Sequence, residues 1–111
     1  MKEVYELTTL REIENFLKDY ELSFLYISKP DCSICHALLP KLKELLSHYP
    51  IIRLGHIDAS KVEEVAGKFL ILSAPMMLLF IEQKEYLRED RFVRLSLLKE
   101  KLDYIYQIYN E

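Results

Sequence analysis

Two short stretches of this chain are almost free of polar side chains, Leu22–Ser28 (LSFLYIS) and Met76–Ile81 (MMLLFI). They restrict its fold more than any other feature. Runs of this length read as strands buried on both faces, and such strands need helices above and below them. The segments between the runs supply helical patterns. Thr9-Leu10-Arg11-Glu12 fits a capping box, in which the Thr hydroxyl accepts from the N3 amide while Glu12 reaches back. Leu10, Ile13, Leu17 and Tyr20 follow at helical spacing, so a first helix is expected to about Asp19. Ser28-Lys29-Pro30-Asp31 then breaks the strand. Beyond it Cys35, Leu38, Leu39, Leu42, Leu45, Leu46 and Tyr49 form a broad apolar stripe, which predicts a second helix from about Cys32 to His48. Pro40 lies inside that helix, removes the donor that would meet the His36 carbonyl, and is expected to kink it.

The remaining segments complete an alternating order. Glu3–Leu7 reads as a short first strand and Ile51–Asp58 as a third. Ser60 with Glu63 has the form of a second capping box, opening a short helix to about Phe69. Glu85–Val93 carries Arg88, Glu89, Asp90 and Arg91 and suits an exposed edge strand, where charge blocks further pairing. Leu98, Leu102, Ile105 and Tyr109 set the face of a last helix starting near Ser96. The order is β-α-β-α-β-α-β-β-α. It predicts an α/β fold with a central mixed five-stranded sheet and helices on both faces, the last strand pair being an antiparallel hairpin. No linker or repeat divides the 111 residues, so one domain over 1–111 is expected.

Several function classes are excluded at this level. Lys and Arg number 15 against 18 Asp and Glu, a net charge of −3, so no basic field draws in a nucleic acid. The longest apolar run, Ala74–Ile81, is 8 residues, whereas a membrane span needs roughly 20. The charged N-terminus MKEVYELTTLREIE has no apolar core of a secretion signal, so a cytoplasmic protein is expected. With Gly55 and Gly67 as the only glycines, phosphate-binding glycine loops are absent.

Chemistry concentrates at Cys32-Ser33-Ile34-Cys35, where a buried strand gives way to a helix. A bridge between cysteines three apart closes almost no loop, so it adds little stability by chain entropy. Cys32 falls at the helix N-terminus, where unpaired amides and the macrodipole favour negative charge. A free thiol near 8.5 is about 3% thiolate at pH 7, and a pKa of ~7 makes it about half, a preference of roughly 2 kcal/mol for the anion. The thiolate is the species that attacks disulfides. Cys35, one turn deeper on the apolar stripe, reads as the resolving thiol. The bland alternative is a pair of small core residues without chemistry.

These features resemble the thioredoxin family over nearly the whole chain. The resemblance rests on Cys32 and Cys35 after the second strand, Pro40 five residues past the second cysteine, Asp58 closing the third strand, and Ala74-Pro75-Met76 ahead of the second apolar run. It implies a thioredoxin-like fold and dithiol–disulfide exchange with protein disulfides or a low-molecular-weight thiol disulfide. It also implies a recycling reductase and no metal or organic cofactor. It implies that Pro75 is cis and lies against the cysteines, leaving the flanking backbone to pair with a substrate strand. Asp31, Ser33, Ile34, Ala74, Pro75 and Met76 would then border the substrate groove. Departures are equally specific. Asp31 stands where the family has Trp, and Ser33-Ile34 where it has Gly-Pro. The family's buried proton-transferring Asp falls on Tyr26 and its Lys partner near Leu54. A glycine of the docking surface falls near Phe92 or Val93. Asp31 opposes ionisation of Cys32 as a like charge, an effect that solvent screens.

Other readings use the same residues. Cys32-Ser33-Ile34-Cys35-His36 matches the covalent haem-attachment pattern, with His36 and Met76 or Met77 as ligands. The absent export signal and the tight strand-to-helix context argue against it. Zinc held by Cys32, Cys35 and two of His36, His48 and His56 lacks a second closely spaced ligand pair. His36 is a candidate for tuning the thiols, or a solvated surface residue. His48 is expected to meet helix C-terminal carbonyls and His56 to be satisfied within its strand. Tyr104 and Tyr106 lie off the apolar face and mark a candidate partner surface. A binding or adaptor module on the same fold, with weak or no turnover, is the second functional reading, supported by the missing proton relay.

Overall fold

The computed structural model describes residues 2–109. The elements are β1 (Val4–Glu6), α1 (Leu10–Asp19), β2 (Leu22–Ser28), α2 (Ser33–Leu46), β3 (Arg53–Asp58), α3 (Glu64–Phe69), β4 (Met76–Ile81), β5 (Lys84–Glu89) and α4 (Leu95–Tyr109). The strands form one sheet in the order β1-β3-β2-β4-β5. β3 runs parallel to both β1 and β2, while β4 is antiparallel to β2 and β5 antiparallel to β4. This is the mixed five-stranded architecture that the order of patterns predicts.

β2 is buried along its whole length, and its side chains alternate between two cores. Leu22, Phe24 and Tyr26 join Leu42 and Leu46 of α2 and Leu98, Leu102 and Ile105 of α4. Leu25 and Ile27 join Ile13, Phe16 and Leu17 of α1 and Val65 and Phe69 of α3. Each such side chain contributes about 1.5–3 kcal/mol when fully buried, which is why the apolar run becomes the central strand. β4 alternates likewise, Met77 and Leu79 toward α2 and α4, Met76, Leu78 and Phe80 toward α1 and α3. Gly55 of β3 lets α1 approach closely. A Cβ there would lie 2.7 Å from Leu7 Cδ1 and 3.0 Å from Phe16 Cε2.

Where local hydrogen bonds compete, element ends move. At α1 Thr9 accepts from the Glu12 amide as expected, at 3.1 Å, but the Glu12 carboxylate takes the Thr8 amide at 2.7 Å rather than that of Thr9. α2 starts at Ser33 with Cys32 as its N-cap, runs across Pro40 and ends at Leu46. The Ser60–Glu63 box does not form. Asp58 Oδ1 accepts from both the amide and the hydroxyl of Ser60, at 2.9 and 2.6 Å, so that turn captures the expected cap. α3 starts instead at Glu64, from Glu63, which makes no side-chain cap. β5 ends at Glu89 and not Val93, because Asp90 turns the chain. Its carboxylate accepts from the Phe92 amide at 2.9 Å and its carbonyl from the Val93 amide at 3.1 Å. The β4–β5 ladder pairs Leu79 with Leu87 and Phe80 with Glu85, leaving Tyr86 as a bulge.

Candidate redox site

The N-terminus of α2 carries both cysteines. Cys32 has extended backbone (φ −101°, ψ 102°), as an N-cap requires, and its Sγ accepts the Cys35 amide at 3.1 Å. A sulfur is thus placed where the helix leaves a donor unpaired, so negative charge on it is favoured. The two sulfurs are bonded to each other, with Cα atoms 5.2 Å apart. Cys35 is 2% exposed in the α2/α4 core, whereas Cys32 is only partly buried. The more accessible sulfur is therefore the one the helix terminus supports.

Ala74-Pro75-Met76 meets this pair across the chain. The Ala74–Pro75 peptide bond is cis, and Cys32 Sγ lies 4.0 Å from the Ala74 carbonyl oxygen. The Met76 side chain is buried in the α1/α3 core on the opposite sheet face from Cys35, and its backbone follows the cis peptide bond. Asp31, Ser33 and Ile34 are exposed beside Cys32, and Leu72, two residues before Ala74, is 97% exposed. Phe92 is also exposed. Nothing in the sequence pattern separates Leu72 from a core leucine, so it carried no site role there.

His36 Nε2 lies 2.8 Å from the Pro30 carbonyl and so carries the proton there, bracing the turn that precedes α2. Among the described residues no group of three or more His, Cys, Asp or Glu side chains is arranged to hold a metal ion. No helix of the described residues is long and apolar enough to cross a membrane.

Below the cysteines, Tyr26 is fully buried and its hydroxyl donates to the Cys35 carbonyl at 2.6 Å. Burial pushes its pKa up to about 12, so the phenol is neutral near pH 7. Leu54 lies in the same core. Beside Tyr26 a second group of polar side chains spans three strands. His56 Nδ1 is 2.7 Å from Glu6 Oε2, and its Nε2 is 2.6 Å from Ser28 Oγ. The Tyr26 and His56 ring centroids are 6.0 Å apart. His56 is satisfied within the sheet, as expected, but nothing local in the sequence singles out Glu6 or Ser28. Their meeting depends on the register, which pairs His56 with both Glu6 and Tyr26, and that register becomes visible only once the strands are paired.

Comparisons with known proteins agree with this geometry. The sequence model of the family described as Thioredoxin matches residues 5–102. The thioredoxin-like protein YdfQ of Bacillus subtilis (strain 168) is 50% identical over 109 residues, which is 98% of this chain and 97% of that protein. Among solved structures, thioredoxin from Plasmodium falciparum superposes with a TM-score of 0.80 at 21% identity, covering 87% of this chain and 97% of that one. Thioredoxin from Trypanosoma brucei brucei gives 0.82 at 17% identity, covering 95% and 92%. At those identities the structures speak for the fold.

Proposed function

The chain belongs to the thioredoxin family, which with its Cys32–Cys35 pair makes it a thiol–disulfide oxidoreductase, and we propose that it reduces protein disulfides or low-molecular-weight mixed disulfides in the cytoplasm. The observation that carries the reading is the Cys35 amide held 3.1 Å from Cys32 Sγ at the start of α2. In the proposed cycle the Cys32 thiolate attacks one sulfur of the substrate disulfide, and the other substrate sulfur leaves as a thiolate. Cys35 then loses its proton and attacks Cys32 Sγ. The second substrate sulfur departs, two electrons have passed to the substrate, and the Cys32–Cys35 disulfide remains. A reductase returns that disulfide to the dithiol. Neither step needs a metal or an organic cofactor. Ala74, Pro75, the Met76 backbone, Asp31, Ser33 and Ile34 border the groove in which the substrate strand lies.

Trapping tests this directly. Cys35→Ser is expected to accumulate mixed disulfides through Cys32, and Cys32→Ser to accumulate none. Thiol reactivity against pH should place Cys32 well below the free-thiol value of ~8.5. A value at or above that reference would overturn the activation argument. One observation favours the adaptor reading, the neutral Tyr26 hydroxyl at the place of the family's proton-transferring Asp. Inert cysteine variants, together with a wild type that fails to reduce a protein disulfide, would select it.

A further inference from the structure

The exchange cycle proposed above requires a base for Cys35. This thiol is 2% exposed, and the helix N-terminus stabilises Cys32 rather than Cys35. Tyr26 touches its residue but donates to the Cys35 carbonyl, and a phenol with so high a pKa takes no proton near neutrality. Leu54 is apolar. A nearby group able to accept a proton at neutral pH is an imidazole, and His56 is on the right face of the sheet. It pairs in register with Tyr26 and lies against its ring.

The surroundings of His56 fix the orientation of its ring. Glu6 on β1 faces Nδ1 with both carboxylate oxygens, at 2.7 and 2.9 Å, so the neutral ring carries its proton on Nδ1. Nε2 then offers its lone pair to the Ser28 hydroxyl at 2.6 Å. Ser28 sits at the end of β2, two residues beyond Tyr26 on the same face, where the chain leaves for Cys32. The charged and titratable groups facing His56 are Glu6 from β1, Tyr26 from β2 and Asp58 from its own strand. The Glu6 carboxylate, within hydrogen-bond distance of Nδ1, and Asp58, whose carboxyl the hydrogen bonds from Ser60 hold below the usual carboxylate range, favour the imidazolium once it forms.

We propose that Glu6, His56 and Ser28 form a proton relay that serves Cys35 in the resolving step, in place of the carboxylate absent at Tyr26. The inference rests on the exchange reading above. In the step, the Cys35 thiol proton passes by way of one water to the Ser28 oxygen as the Ser28 hydroxyl proton passes to His56 Nε2. The Cys35 sulfur bonds to Cys32 Sγ, and the bond from Cys32 to the substrate sulfur breaks. The substrate leaves as a thiolate, which takes up the proton given back by the imidazolium. Cys35 and Cys32 are oxidised to the disulfide and the substrate is reduced. His56 acts here through Ser28, as a positioning and proton-holding residue.

The test uses the reduced full chain and 5,5′-dithiobis(2-nitrobenzoate), followed by stopped flow from pH 5 to 9. Attack by Cys32 releases one coloured thiolate, and resolution by Cys35 releases a second. His56→Gln is expected to slow the second release at least tenfold at pH 7 while leaving the first within twofold. The same variant should also lose the imidazole limb of the second-phase pH profile, a change that a purely structural role would not produce. Ser28→Ala should reproduce the effect, and Glu6→Gln should give a smaller one. A first release at the wild-type rate and with the wild-type pH dependence, which the ordinary thiol of an unfolded chain would not give, reports that the Cys32 site is intact. A second-phase profile in both His56→Gln and Ser28→Ala that overlays the wild type would overturn the relay and leave exchange intact. A wild type that releases no second thiolate would overturn both readings.

Discussion

Tyr26 links the sheet to the redox turn, because its hydroxyl is the donor that meets the Cys35 carbonyl. Tyr26→Phe removes that bond and is expected to cost about 1 kcal/mol, read as a lower urea midpoint. The same phenol sets an alkaline limit. Its pKa is raised by burial, so its contribution is complete below the ordinary tyrosine value of ~10 and is lost as pH rises through about 12. Tyr49 is shifted in the same direction by burial and by its bond to Asp103. Stability should therefore decline above pH ~10, with a shallower decline in Tyr26→Phe. The two glycines separate cleanly. Gly55→Ala drives a methyl against Leu7 and Phe16 and should cost about 1–3 kcal/mol, whereas Gly67→Ala in α3 meets nothing within 4 Å and should gain up to ~1 kcal/mol. Paired denaturation curves of the two variants decide the sign of each. At this scale the cysteines are legible in the sequence because their spacing and place in the chain both point to chemistry. Glu6, Ser28 and His56 are not, since 50 residues separate Glu6 from His56 and nothing local joins them.

Turns, more than strands or helices, set the limits of what patterning reveals. Apolar runs located β2 and β4 because burial on both faces leaves no other use for them. The starts of α3 and the end of β5 were displaced by Asp58 and Asp90, whose carboxylates take backbone amides within two residues. Such short-range bonds compete with capping boxes and strand pairing, and hydrophobic period is blind to them. The β4–β5 connection carries a further local mismatch. Glu82 and Gln83 hold φ of 49° and 70°, two consecutive left-handed residues that a tight hairpin usually fills with Asn-Gly. Glu82→Asn with Gln83→Gly should raise the melting temperature by several degrees, about 4–8 °C for each kcal/mol of relief in a domain of this size. Thr9→Ala should act oppositely, losing the α1 cap at a cost of about 1 kcal/mol, measured by the same thermal scan.

For the whole molecule, the order of elements was readable because strands alternate with amphipathic helices, and few connections satisfy that order. Charge distribution then sets its acid response. Asp58, Asp103, Glu12 and Glu85 all sit below the usual carboxylate range, held there chiefly by hydrogen bonds from Ser60, Tyr49, Thr8 and Arg88 respectively. A lowered folded pKa stabilises above the ordinary value and is lost as pH falls through the lower one. The urea midpoint should hold level from pH 7 to about 5 and drop below pH ~4. The two margins of the sheet carry a different consequence. β1 is three residues long, and β5 is bulged at Tyr86 and lined with Lys84, Glu85, Arg88 and Glu89. Neither border presents a straight, uncharged row of amides that another copy could copy strand for strand. Even at concentrations where many sheet proteins begin to polymerise, solutions of this one should stay clear and fail to seed fibrils.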